Sequence, residues 1–155
     1  MKITKEYEGI TRKENGDYYI SGSIETDEDI EIELDDRLEV GGSIASEKSI
    51  ISNTTIISRD NIEAGRYINV GCGIEAGWGI KAGDGIEAGY GIKAGWDVYA
   101  QTYIDCGLRI FAGTSINDSE ATAKKTISCA ELRNGQIAYG ELVITGDGGK
   151  ERKEK

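Results

Sequence analysis

From Ile32 onward every sixth residue is aliphatic: Ile32, Leu38, Ile44, Ile50, Ile56, Ile62, Ile68, Ile74, Ile80, Ile86, Ile92, Val98, Ile104, Ile110 and Ile116. All fifteen are Ile, Leu or Val, although these types fill only 32 of the 155 positions, so chance supplies about three hits. A second phase lies two residues on: Ala64, Val70, Ala76, Ala82, Ala88, Ala94, Ala100, Cys106 and Ala112. Residues two apart on a strand face the same side. Each unit therefore reads as one short strand with a large and a small residue pointing inward, then a corner. Three strands and three corners close a turn of about eighteen residues. An α-helix is excluded, because a six-residue period does not match 3.6 and the aliphatic positions would wander around its surface. Glycines such as Gly83 and Gly85 are expected at corners that need positive φ.

The fold class predicted is all-β: a single-domain parallel β-helix with a C-terminal β-hairpin. A right-handed coil is expected. In left-handed hexapeptide solenoids the small residue stands two before the aliphatic one, and here that place holds Arg66, Trp78, Asp84, Tyr90 and Trp96, which a narrow core cannot take. An eighteen-residue turn places Lys81 on Glu63, Lys93 on Glu75, Asp84 on Arg66 and Trp96 on Trp78.

Residues 1–31 read as an N-terminal cap and first irregular rungs, in which Ile20 keeps the phase, Thr26 breaks it and Asn15-Gly16 forms a turn. Residues 32–116 form the repeat. Residues 117–145 form a loop (Asn117 to Glu120), a short helical turn from Ala121 to Lys125, and a hairpin whose arms, Thr126 to Leu132 and Gln136 to Ile144, flank Arg133-Asn134-Gly135. Residues 146–155 read as a disordered tail.

Composition narrows the chemistry. The chain has no histidine, which removes Ser-His-Asp triads, Cys-His pairs and HExxH zinc sites. Gly71-Cys72-Gly73 and Gly83-Asp84-Gly85 lack the spacing and strand-to-helix context of a dinucleotide loop. No enzyme, metal or cofactor is expected. Three cysteines without a framework spacing suggest free thiols in a reducing, cytoplasmic setting, with Cys106 inward and inert and Cys72 outward. Nothing at Met1 to Glu6 reads as a secretory signal. The net charge of −10 repels nucleic acid and anionic membranes and favours a basic partner.

Two surface features stand out. Glu25, Asp27, Glu28, Asp29, Glu31, Glu33, Asp35, Asp36 and Glu39 crowd one segment with a single Arg37. They are either a solvated rung that protects an exposed strand edge or a nucleic-acid-like surface. In the second case Glu31, Glu33 and Asp35 alternate along a strand about 6.6 Å apart, within a factor of two of phosphate spacing. An EF-hand is excluded because Ile32 sits where its loop needs glycine. Trp78, Tyr90 and Trp96 form the other feature, an aromatic face that either stacks on itself or binds a partner.

From Tyr19 to Ile116, on repeats such as Ser43-Ile44-Ala45 and Gly79-Ile80-Lys81-Ala82, the chain resembles bactofilins, bacterial cytoskeletal proteins with a right-handed triangular β-helix that polymerise end to end. The acidic N-terminus and the post-solenoid segment depart from that pattern. In size and charge the chain also resembles small acidic phage-encoded proteins, some of which inhibit host defences such as CRISPR nucleases. The first reading implies a self-assembling structural protein. The second implies a non-catalytic inhibitor, acting as a nucleic-acid mimic on a basic nucleic-acid-binding nuclease in the bacterial cytoplasm, as a monomer or homodimer.

Overall fold

The computed structural model describes residues 1–113 and 125–145 and the backbone of 151–154; every regular element among them is a β-strand. Strand Ile62–Ala64 lies parallel between Ile44–Ser46 and Ile80–Ala82, with Ile62 opposite Ile80, eighteen residues away. Ile68–Val70 lies between Ile50–Ser52 and Ile86–Ala88, and Ile74–Ala76 between Ile56–Ser58 and Ile92–Ala94, in the same register. The result is the expected parallel β-solenoid with three faces. One face is an eight-stranded sheet. The other two join as a thirteen-stranded sheet, because Tyr103–Ala112 runs through its corner unbroken and pairs with strands on both.

The core is a column of stacked aliphatics. Ile44, Ile50, Ile56, Ile62, Ile68, Ile86 and Ile92 are fully buried, and burying each such side chain contributes about 1.5–3 kcal/mol. The second phase is inside as well, from Ala64 to Ala112. Two places before each aliphatic residue, Arg66, Trp78 and Tyr90 are exposed. The small inward residue thus follows the aliphatic one, the arrangement behind the expected hand.

The reason for the corner glycines differs from the one expected. Gly65, Gly77, Gly83, Gly89 and Gly107 do not have positive φ. A Cβ at any of them would instead strike the backbone carbonyl of the residue eighteen positions earlier: Glu47, Arg59, Gly65, Gly71 and Gly89 respectively. Close approach of successive turns, not a left-handed backbone, selects glycine there.

The first turns are more regular than the spacing suggested. Ile30 is opposite Ile50, and Ile32 is opposite Ser52. Ile32 therefore fills the second inward place, and its agreement with the six-residue series is coincidental. Likewise Tyr18 is opposite Leu38, Ile20 opposite Val40 and Thr26 opposite Ser46. Thr26 does not break the phase; the phase shifts by two. The shift comes from the five-residue corner Glu33 to Arg37, where the later corners have three. Leu34 tucks inward at 5% exposure. Asn53 clamps it, accepting from the Leu34 N–H at 3.1 Å and donating to its carbonyl at 3.0 Å.

Antiparallel strands close both ends. At the N-terminus Ile10–Arg12 folds onto Tyr18–Ile20 around Gly16 (φ 96°), as Asn15-Gly16 predicts, while Lys2–Ile3 extends the neighbouring face beside Ile30–Ile32. At the C-terminus Glu141–Thr145 pairs with Glu151–Glu154, so part of the expected tail is a strand. This is the C-terminal hairpin, on other residues than expected. The arms around Arg133-Asn134-Gly135 do not pair with each other: Thr126–Cys129 stacks on Val98–Ala100, and Glu131–Tyr139 runs parallel to Tyr103–Ala112. Ile127 and Cys129 are fully buried, and Leu132 and Ile137 pack on the same core. Docking on the open end of the previous turn buries apolar surface that an isolated hairpin leaves in water. The expected loop at Asn117 to Glu120, the helical turn from Ala121 and the repeat position Ile116 lie outside the described residues.

Candidate interaction surfaces

The acidic segment does not form the straight row expected of it. Its strand, Ile30–Ile32, is only three residues long. Glu31 stands on it, whereas Glu33 and Asp35 wrap around the five-residue corner. Ile30, Ile32 and Leu34 hold the buried side, and Glu25, Asp27, Glu28, Glu31, Glu33 and Asp35 are exposed.

Six of the nine carboxylates from Glu25 to Glu39 have local partners, which the one-dimensional pattern concealed. The N-terminal ammonium reaches Glu28 at 3.4 Å, Lys2 reaches Glu33 at 3.4 Å, and Arg12 reaches Asp36 at 2.8 Å and Asp35 at 3.7 Å. Tyr18 donates to Asp35 at 2.6 Å, which together with Arg12 holds that carboxyl below the usual range. Lys13 at 2.8 Å and Arg59 at 3.3 Å do the same for Glu39. Asp29 accepts the Ser49 N–H at 2.9 Å. Among the described residues Glu25, Asp27 and Glu31 take part in no ion pair. Glu47, one turn on, shares that condition, and with Glu25 and Glu63 it lines a shallow groove floored by Ala45 and Ala64 and edged by Lys81. The bases lie 20 to 31 residues from their partners, none at a multiple of the repeat except Arg12 with Asp36, so spacing gave no signal for them.

In the regular turns Glu63 is opposite Lys81 and Glu75 opposite Lys93, as expected. None of these pairs closes to 4.0 Å; among the described residues, the one ion pair outside the first turns joins Arg133 to Glu131 at 2.9 Å. Register is therefore set by the buried column, and the surface charges follow it.

Trp78 and Trp96 stack on one corner, with centroids 5.4 Å apart and planes 10° apart. Tyr90 is not with them. Its N–H donates to Cys72 O and its carbonyl accepts from Leu108, which puts it on a different corner, beside the exposed Leu108. The expected aromatic face is thus two separate edges. Two further contacts were hidden by the irregular spacing after Gly113. Lys125 Nζ lies 4.0 Å from the Trp96 centroid, and the Arg133 guanidinium 3.8 Å from that of Tyr103. The Tyr103 ring covers Gly85, and burial with Glu87 nearby pushes its phenol pKa up.

Cys106 is buried and burial raises its thiol pKa, which suits an inert core residue; Cys72 is half-buried on its corner, its Sγ 3.8 Å from Asn53 O. No group of three or more Cys, Asp and Glu among the described residues is arranged to hold a metal. No family model, no curated protein and no solved structure matches the chain.

Proposed function

We propose that the solenoid is a non-catalytic binding protein that docks on a basic partner through the outward carboxylates of its first turns. The observation that carries this reading is the segregation of charge along the rod. Residues 1–40 hold 5 Lys and Arg against 13 Asp and Glu, which is −8 of the chain's −10; residues 114–155 hold 7 of each. Local pairing leaves Glu25, Asp27, Glu31 and Glu47 to act on a partner. A field concentrated at one end of an elongated particle steers and orients an oppositely charged surface. Its most concrete form is an inhibitor that occupies the phosphate-holding surface of a nucleic-acid-handling protein, a host nuclease included. The antiparallel strands at both ends support a discrete particle over an end-to-end filament of the bactofilin kind.

Two measurements test this. Light scattering at rising concentration should give a constant small mass; growth into long particles would establish the polymer instead. Capture of partners from a bacterial lysate should fall steeply as salt rises, since exposed charges are screened beyond about 8 Å at physiological ionic strength. It should also fall when Glu25→Gln, Asp27→Asn, Glu31→Gln and Glu47→Gln are combined, with an unchanged thermal melt. If that variant captures as wild type does while a Trp78→Ala, Trp96→Ala variant fails, the acidic turns are not the working surface.

A further inference from the structure

Trp96 is covered on both ring faces. Trp78 stacks on one, and the Lys125 ammonium stands over the ring 4.0 Å from its centroid. Trp78 has only one face used in this way. It remains 46% exposed although Trp96 lies against it, and among the described residues no cation stands over it.

The turn on its open side carries Asp60. The Trp78 N–H donates to Asp60 O at 3.0 Å, so the two residues share a corner, one rung of roughly 4.8 Å apart. The Asp60 backbone is fixed, its N–H donating to Ser58 Oγ at 3.1 Å, while its side chain is exposed and in no ion pair among the described residues. The adjacent base is turned away: Arg59 lies 3.3 Å from Glu39 and 6.0 Å from the Tyr19 centroid, on the neighbouring face. Beyond Asp60 the corner continues through Gly42 and Gly22, which carry no side chain of their own, with the small Ser23 hydroxyl in the place a Gly42 Cβ would take.

The geometry points to a binding site for an alkylammonium group, the lysine side chain of a basic partner, between the open face of Trp78 and the Asp60 carboxylate. An indole face attracts a cation through its quadrupole, and an adjacent carboxylate strengthens and orients that contact. The molecule makes the matching contact itself at the other end of the stack, where Lys125 occupies Trp96. The site rests on the reading that the partner is basic, but it uses a different corner from the carboxylates invoked there.

The chain has two tryptophans, so its nitrogen–proton spectrum has two indole signals, and Trp78→Phe assigns them. Titration with a tetralysine peptide should move the Trp78 signal saturably and leave Trp96 nearly still. The same peptide acetylated on every Nε should move neither. Lys125→Gln should expose the second end of the stack, so that Trp96 now responds. Asp60→Asn should weaken the Trp78 response several-fold. Equal shifts with the acetylated peptide, or a still Trp78 signal at peptide concentrations that shift other residues, would overturn the site. So would a Trp78 response that survives Asp60→Asn and disappears in the four-carboxylate variant, because the peptide would then lie on the acidic turns. A Trp78 response that persists in the four-carboxylate variant, alongside lost lysate capture, keeps the site and confirms that the two surfaces are separate.

Discussion

The turns before Asn61 and those after it enclose the same column of aliphatics but make their corners differently. In the earlier turns four strands end on a hydroxyl. Ser46, Ser52 and Ser58 each accept the N–H two residues on, at 2.9, 3.1 and 3.1 Å, and Thr26 does so at 3.2 Å. The next residue is then Asp27, Glu47, Asn53 or Arg59, each with a full side chain. In the later turns alanine replaces the hydroxyl, and glycine follows because the neighbouring backbone occupies the Cβ position. Val70 and Cys106 take the alanine place in two of these turns, Gln101 follows Ala100 in place of glycine, and Gly113 has a positive φ of 93°. A corner can be held by a side-chain hydrogen bond or by close backbone packing, and the choice decides which surface can carry charge. Asp27, Glu28, Asp29 and Glu47 stand on such hydroxyl corners, whereas Glu33, Asp35 and Asp36 stand on the five-residue corner after Ile32.

Gly83→Ala should test this difference most severely. The new methyl meets Gly65 O, and overpacking of that kind costs about 3 kcal/mol, against about 0.5 kcal/mol or less for Glu47→Ala at the equivalent corner. Urea unfolding of the two variants reads both values, and equal losses would mean that the two corner types do not differ. A smaller effect is expected from Ser58→Ala. This buried hydroxyl donates to Gly42 O at 2.6 Å and accepts from Asp60, and its loss leaves both unsatisfied, at about 1–2 kcal/mol. Ala64→Ser in the later turns has no such pair to complete, so a matching gain there would undercut the distinction.

Acid should separate the regions more gently. The carboxyls of Asp35 and Glu39 are both depressed in the folded chain. Their contribution is therefore complete above the unfolded-state value of about 4 and is lost as pH falls through the lower folded value. Amide exchange should quicken in residues 10–40 below about pH 4 while Ile62 to Ala100, which has no ion pairs among the described residues, stays protected. Uniform loosening would place the acid-sensitive contacts elsewhere. The smallest effect belongs to Lys81→Gln. Its opposition to Glu63 is one of register without an ion pair, so the melting temperature should stay where it is.

How much of this could be read from the chain follows the same division. Where the corner is always three residues, as from Ile44 to Ala112, a one-dimensional period maps directly onto stacked positions, and the Trp78–Trp96 pair followed from it. Where corner length changes, the period misleads. The five-residue corner at Leu34 moved Ile32 into the second inward place, and the 29 residues between Val98 and Ile127 hid the approach of Lys125 to Trp96. Arg133-Asn134-Gly135 has the local chemistry of a hairpin, but Gly135 (φ 125°) serves a corner. Its missing Cβ leaves room for Cys106 Sγ and Ile110, a contact that no local pattern encodes. The neutralisation of most of the acidic segment was unreadable for the same reason, since Lys2, Arg12 and Lys13 arrive by way of the end cap.

The eighteen-residue register makes the length of this molecule a quantised variable. Deleting residues 65–82 would join Ala64 to Gly83, an Ala-Gly junction like the one removed, and bring Ile86 onto Ile50 in place of Ile68. The rod would shorten by one rung of about 4.8 Å with both ends intact. Deleting nine residues would instead turn every later face by half a revolution and set glycine corners against strands. The chain can therefore be lengthened or shortened as a ladder is, by whole rungs.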